Sequence, residues 1–560
     1  LMLWSARYLS RYLLVPVSVL LCLCATARAA TQDHRGGELR LLGSTSGGTL
    51  DPQLHYTPVY LQIFSAVYDG LLTYRKAGGA AGDEVVPDLA TALPQPEDGG
   101  RTWTFHLRPG IRFSDGRPVR VEDVLASFRR IFRVGSPTAS SFYENIVGAR
   151  DCLRQPHACT LSEGVQVDPA TGRITFHLVE PDAEFLTKLA YPHAVILPAD
   201  TPDHDVGTTP VVGTGAYRVV SYDPQQSLHL ARNPYFHPWS DAAQPEGYVD
   251  TITYSFGLRD EDEVTSVETG HDDWMFEVKP LDRLGELGAR FPDRVHINPS
   301  LHIVYVPLNV NIPPFDNVMA RQAVAWALDR HAAAIFYGGP AVATPMCDMA
   351  PPNVMPPRGQ CPYTLAPGPG GDASAWPRPD LARARELVAK SGTQGQAVTI
   401  VVQTDSTQRG IGAWMRDRLQ QIGYRASVRE ISRGVQFSYI QNSANNVQIS
   451  LTSWFGDYPS PSNFLYLLFA CSSFHPHSDN SINIPGYCNP ALDAIMHQAL
   501  QEPRDPIRMA LWRQASNMIN SDEPAVPLLA IKDVDLVSPR LGNYAYHTLY
   551  HMLVARAWVR

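Results

Sequence analysis

An α/β protein of several domains is the fold class this sequence predicts, and three features of its texture carry that reading. Short strands separated by Gly and Pro turns dominate the first 220 residues, strands alternate with longer helices from about Thr251, and Val526 to Ile531 returns to a strand-like run. With 560 residues, the chain has room for two to four domains of about 150 residues each.

The N-terminal stretch speaks to compartment. Leu1 to Tyr12 carries Arg7 and Arg11 but no acid, Leu13 to Cys24 is almost wholly apolar, and Ala27-Arg28-Ala29 supplies a small-residue cleavage pattern. Residues 1–29 therefore read as a secretory signal peptide, cut near Ala30, with the mature protein periplasmic or extracellular. The apolar run is shorter than the ~20 residues a membrane span requires. Cys22 and Cys24 each follow a leucine rather than a small residue, which favours simple cleavage over a lipid anchor. The formal net charge is −9 and there is no basic run, which weighs against nucleic acid and against an anionic membrane surface as partners.

In chain order, Glu38 to Leu42 is a first strand, and the glycine-rich turn Gly43 to Gly48 lacks the Gly-Lys-Ser/Thr ending of a phosphate loop. Apolar residues at 59, 63, 64, 67, 71 and 72 predict a helix over Val59 to Tyr74. Trp103 to Leu107 and Ile111 to Phe113 read as strands around Arg108-Pro109-Gly110, and Ser114-Asp115-Gly116 turns the chain into a helix over Val121 to Phe132. Further strands are expected at Ile174 to Leu178 and Tyr217 to Tyr222. Between them, Gly213-Thr214-Gly215 lacks the third glycine of a dinucleotide fingerprint.

In the second half, Asp316 is placed to cap a helix running to Leu328, and Asp380 one over Leu381 to Lys390. Val398 to Gln403, a helix presenting Ile411, Met415 and Leu419, and Ala426 to Ile431 follow as strand, helix, strand, an order that implies parallel pairing. Ala341 to Pro379 is a proline- and glycine-rich surface excursion, Val447 to Ser453 one apolar strand, and Asn489-Pro490 opens what reads as the last clear helix.

Six cysteines follow the leader in three neighbouring couples: Cys152 with Cys159, Cys347 with Cys361, and Cys471 with Cys488. An even count in an exported chain favours disulfides, although six cysteines permit 15 pairings and the sequence does not choose among them. Cys471, His475, His477, Asp479 and Cys488 are ligand types that suit zinc or copper. Cysteines in an oxidising compartment prefer one another, so neither a metal nor a cofactor is expected. His-Glu-x-x-His, Gly-x-Ser-x-Gly and a phosphate loop are all absent from the sequence, and the reading is a protein that is not an enzyme.

One stretch organises the rest. In Trp454-Phe455-Gly456-Asp457-Tyr458-Pro459 a single carboxylate sits among aromatics where an apolar strand must end. Asp457 is either a turn aspartate bonding its own backbone or a group aimed at a ligand's positive charge.

This stretch, with Asn463-Phe464 after it, resembles the Trp-x-x-Asp-Tyr motif of the bacterial extracellular solute-binding proteins of family 5, the oligopeptide- and dipeptide-binding proteins of ABC importers. Trp103 to Gly116 with Val121 to Phe128 resembles the family's signature region. Gly213-Thr214-Gly215-Ala216-Tyr217 resembles its Gly-Thr-Gly-Pro-Tyr loop, with Ala216 in place of the usual proline, and Arg321 to Arg330 and Asn483 to Pro490 are also similar. The resemblance runs from about Gly37 to the end.

It implies a type II, two-lobed periplasmic-binding-protein clamshell of the large cluster C form, with an extra subdomain in the first lobe. Lobe I is then 30–55, 182–265 and 525–560, the extra subdomain 56–181, and lobe II 266–524. By position in the motif, Asp457 would pair with a peptide's α-ammonium, while Trp454 and Tyr458 would complete the ligand-binding set. The implied partners are a peptide or other small solute and the transmembrane subunits of a permease, with the receptor itself a monomer. The family also contains binders of nickel complexes, haem, oligosaccharides and opines, and a secreted hydrolase on the same scaffold is the contrasting class. No arginine lies in Val447 to Ser453, where some relatives hold a ligand carboxylate; Arg409 and Arg429 are the alternatives, and each reads first as a solvated surface residue.

Overall fold

A computed structural model describes residues 34–43, 48–276, 280–281, 283–365 and 378–560. The stretch 1–29 read as a signal peptide, with Cys22 and Cys24, most of the turn at Gly43 to Gly48, and the 366–377 part of the Ala341 to Pro379 excursion lie outside the described residues.

The first sheet has five strands in the order Trp274–Met275, Glu38–Gly43, Thr251–Phe256, Ser227–Arg232, Tyr217–Asp223. Glu38–Gly43 runs parallel to both its neighbours, and the other pairs are antiparallel. Helix Pro58–Val67 packs on this sheet with every residue from Val59 to Val67 buried. It stops seven residues short of the expected Tyr74. Asp69 is held by the Thr214 hydroxyl at 2.6 Å and the Gln244 amide at 2.6 Å. A Cβ on Gly70 would meet the Ala194 carbonyl at 3.2 Å, so the chain leaves the helix and re-forms as strand Leu72–Tyr74.

A separate four-stranded antiparallel sheet orders Pro96–Glu97, Thr102–His106, Arg173–His177 and Val165–Asp168. Helix Val121–Arg133 covers it through Val124, Phe128, Ile131 and Phe132. The strand expected at Ile111 to Phe113 is not formed. Arg112 makes one isolated bridge to Pro118 around the Asp115-Gly116 turn, too tight a reversal to support a ladder.

In the second half, Arg425–Ile431, Ala397–Gln403 and Ile449–Ser450 form a parallel three-stranded sheet. Beside it lies a four-stranded sheet ordered Ala343–Pro345, Ala525–Leu536, Val295–Pro307, Thr452–Phe455. The single strand expected over Val447 to Ser453 is therefore two: Ile449–Ser450 belongs to one sheet and Thr452–Phe455 to the other, with the change at Leu451. Asp380 caps its helix by accepting from the Arg383 amide at 2.9 Å, but Asn317 rather than Asp316 caps Val318–Ala327, accepting from the Met319 amide. The helix after Asn489 is not the last. Asp505–Asp522 follows with Pro506 in its first turn and buries Trp512, Ala515 and Ile519. The six cysteines pair as neighbours, Cys152–Cys159, Cys347–Cys361 and Cys471–Cys488. Among the described residues no helix is long and apolar enough to cross a membrane.

Two long strands, Val295–Pro307 and Ala525–Leu536, pair antiparallel and join the halves. One end packs Leu536 against Leu42 and Met275 beside the first sheet. At the other, Val304, Val306, Val526 and Leu528 enter the core of the second half. Midway the register slips: Asn298 faces Asp533 while His302 faces Ile531. Pro299 lies in the slipped stretch and has no amide hydrogen to pair. Ser300 fills the gap, its hydroxyl donating to the Ile531 carbonyl at 2.6 Å and accepting from the His302 amide at 3.1 Å. The resulting bulge re-aims Ser300, Leu301 and His302 into a cleft.

Candidate functional site

The bulge floors a cavity of about 300 Å³. Its walls are mainly apolar and aromatic, from Leu61 and Tyr191 on one side to Phe437, Trp454 and Phe455 on the other. Asp457 and Asp533 supply its carboxylates, and none of the described residues lining it is a lysine or arginine.

Asp457 is placed by Asn463, a fully buried residue of helix Ser462–Phe469. The Asn463 Oδ1 accepts from the Trp454 indole Nε1 at 3.1 Å and from the Asp457 amide at 2.9 Å, and its Nδ2 donates to Asp457 Oδ2 at 2.9 Å. One amide thus fixes the indole, the backbone and the carboxylate together. The other carboxylate oxygen accepts from the Tyr56 hydroxyl, 401 residues away. Asp457 is 5 % exposed. Burial pushes its carboxyl up to about 6, against the opposing effect of the Tyr56 and Asn463 hydrogen bonds. Two donors do not offset the loss of water, so the ionised form lacks a full counter-charge.

Gly456 is required by close approach: a Cβ there would lie 2.7 Å from Phe464 and 2.9 Å from Leu301, while its amide donates to the Leu301 carbonyl at 3.0 Å. The neighbouring Phe455 ring, half exposed, stacks on His302 with centroids 4.0 Å apart.

The three motif residues part company. Asp457 and Trp454 line the cavity. Tyr458 turns the other way: its hydroxyl shares a 3.0 Å hydrogen bond with Ser462, and its ring packs edge-on against Phe142 in the core of the extra sheet. Ser460 and Ser462 both donate to Glu184, which ties this loop to the first half of the chain. Arg429 is spent on the Tyr439 hydroxyl at 2.8 Å, Arg409 reaches Glu430 at 4.0 Å, and neither lines the cavity. Cys471 and Cys488 are joined to each other and Asp479 accepts from Asn442, which leaves His475, His477 and Asp479 without sulfur partners for a metal.

The pattern that defines the bacterial extracellular solute-binding proteins, family 5 Middle, matches residues 84–475. The chain belongs to this family. It is 25 % identical over 558 residues to the periplasmic oligopeptide-binding protein OppA of Escherichia coli, covering 95 % of each chain. Among solved structures it is similar to the clavulanic acid biosynthesis oligopeptide binding protein 2, with TM-score 0.82, 24 % identity, and 94 % of this chain and 96 % of that one covered. It is similar also to the ABC transporter-associated periplasmic binding protein DppA of Helicobacter pylori, solved with the peptide STSA, with TM-score 0.74, 22 % identity, and 94 % and 99 % covered. The fold is the two-lobed α/β clamshell of these binding proteins.

In this family 5 protein, several cavity residues lie outside every motif. Tyr56, His302, Asp533 and His551 are brought together from four separate segments. Asp533 alone left a trace, since Asp533 to Leu536 alternates acidic with apolar residues and Asp533 and Asp535 fall on one strand face. Asp533 Oδ2 accepts from the Tyr546 hydroxyl at 2.6 Å and lies 3.2 Å from His551 Nδ1.

Proposed function

We propose that this protein is the extracytoplasmic receptor of an ABC importer, which captures peptides in the cavity and passes them to a membrane permease. The observation that carries the reading is Asp457, a buried carboxylate whose raised pKa marks an ionised form short of positive charge. A peptide's α-ammonium supplies that charge, with a charge-assisted hydrogen bond worth about 1.5–3 kcal/mol. Trp454 and the other rings form apolar walls that accept varied side chains. The peptide-binding names of the similar proteins support the same solute class. Tyr458 serves by packing, holding the Asp457 loop against the extra subdomain.

Capture follows from movement of the lobes about the two crossing strands. Since Trp274–Met275 pairs with Glu38–Gly43, we place the crossing within Val295–Pro307 and Ala525–Leu536. The protein acts as an exported monomer whose residues 1–29 are removed, and it binds without turnover. Mass spectrometry of ligands released from the natively purified protein tests this. Peptides with free amino termini are expected; a non-peptide solute as the sole bound species would overturn it.

A further inference from the structure

We infer that the cleft holds a second cation subsite, centred on Asp533, so that the ligands it favours are peptides carrying a lysine or arginine near a free amino terminus. The inference rests on the peptide reading above and adds a substrate class to it. Three observations converge.

The first is charge. The described lining includes Asp457 and Asp533 but neither lysine nor arginine. A carboxylate carried into this cavity meets two acids in apolar surroundings, where charges interact far more strongly than in water. A cation meets a counter-charge on each side. The cavity therefore selects against glutamate and aspartate side chains, and it leaves a peptide's C-terminal carboxylate to lie elsewhere.

The second is placement. Asp457 lies two residues past the end of the strand Thr452–Phe455 on one flank of Val295–Pro307, Asp533 stands on Ala525–Leu536 along the other flank, and both line the one cavity. Two strand spacings of about 4.8 Å separate the flanks that carry them. Successive Cα atoms of a peptide are 3.8 Å apart, so a ligand anchored by its ammonium at Asp457 brings a long cationic side chain on its second or third residue to Asp533.

The third is the way Asp533 is held. The Tyr546 hydroxyl donates to Oδ2, and His551 on the cavity wall approaches the same oxygen, which orients the carboxylate at the cavity surface. Asp535, two residues on, is treated likewise: the Tyr544 hydroxyl donates to it, and Tyr544 in turn accepts from Asn298 at 2.7 Å and stacks on His296 at 4.1 Å. A merely structural polar contact in a strand pair needs no charge. Two acids on one face, each steered by a tyrosine, build a negative strip along the crossing strands.

The test is calorimetric titration at pH 8, above the usual histidine range, with C-terminally amidated tetrapeptides that have a free amino terminus. They differ at one position, carrying lysine, norleucine or glutamate at residue two or three. On the wild-type protein a lysine peptide is expected to bind at least 10-fold more tightly than its norleucine counterpart, with the glutamate peptide weakest. In Asp533→Asn the lysine-to-norleucine ratio is expected to fall to within 2-fold. If lysine and norleucine peptides bind wild type alike while N-acetylation still weakens both, the second subsite is refuted and the Asp457 reading stands. If no peptide binds wild type, both readings fall. The wild-type comparison decides without any variant.

Discussion

Replacing Asp457 with asparagine should move stability and ligand response in opposite directions. The carboxyl sits at about 6 in the folded protein against an ordinary 3.8, which at 1.36 kcal/mol per unit corresponds to about 3 kcal/mol. The sign follows from proton uptake. Above pH 6 the group is ionised in both folded and unfolded chains, and the folded state bears the whole cost. Below pH 3.8 it is neutral in both and the cost vanishes, so between these limits the contribution to stability improves as pH falls. Asparagine keeps the shape and can still meet Tyr56 and Asn463, but carries no charge. The ligand-free variant should therefore be more stable than wild type by up to about 3 kcal/mol at pH 8, or about 3 °C in Tm. That margin should shrink to about 0.5 kcal/mol by pH 4. Peptide affinity should fall by 1.5–3 kcal/mol, about 10- to 150-fold. Thermal unfolding of both proteins at pH 8, 6 and 4, with and without peptide, reads all of this. A variant less stable than wild type at pH 8, or a difference that does not change with pH, would refute the reasoning.

Binding to wild type should weaken as pH falls through about 6, because protonated Asp457 offers no counter-charge; titrations from pH 8 to 5 should show Kd rising toward 10-fold per unit at the acid end. Tyr56→Phe removes a donor to the ionised carboxylate, so the midpoint of that pH profile should move upward, read in the same titrations. Gly456→Ala forces a methyl toward Phe464 and Leu301; overpacking of this kind costs about 1–3 kcal/mol, visible as a lower Tm together with weaker peptide binding. Asn463→Ala strands the Asp457 amide, the indole of Trp454 and one carboxylate oxygen at once, so its loss of affinity should at least match that of Tyr56→Phe.

Local chemistry decided what the sequence could disclose. Asp457 reads two ways from its own residues, as a turn aspartate or as a counter-charge for a ligand, and the resemblance of the surrounding motif, Asn463 included, is what singles it out. The neighbouring pairs of cysteines were visible as couples, but their pairing needed three dimensions. The split at Leu451 was hidden because residues 447–453 are uncharged throughout, and periodicity cannot tell one sheet from two. Helix Asp505–Asp522 shows no clear apolar stripe in the sequence because its buried positions are set among polar residues. Helix Pro58–Val67 is shorter than its periodicity predicts because Leu71 and Leu72 keep the helical spacing while Asp69 and Gly70 answer to partners more than 100 residues away. Tyr56, Asp533 and His551 join the site by long-range contact, and only the alternation around Asp533 hinted at a face.

The most direct measurement is the affinity of wild-type protein for one peptide and for its N-acetylated form at pH 7.5. Acetylation replaces the ammonium with a neutral amide, so Kd should rise at least 10-fold. Equal affinities would show that Asp457 does not anchor an amino terminus.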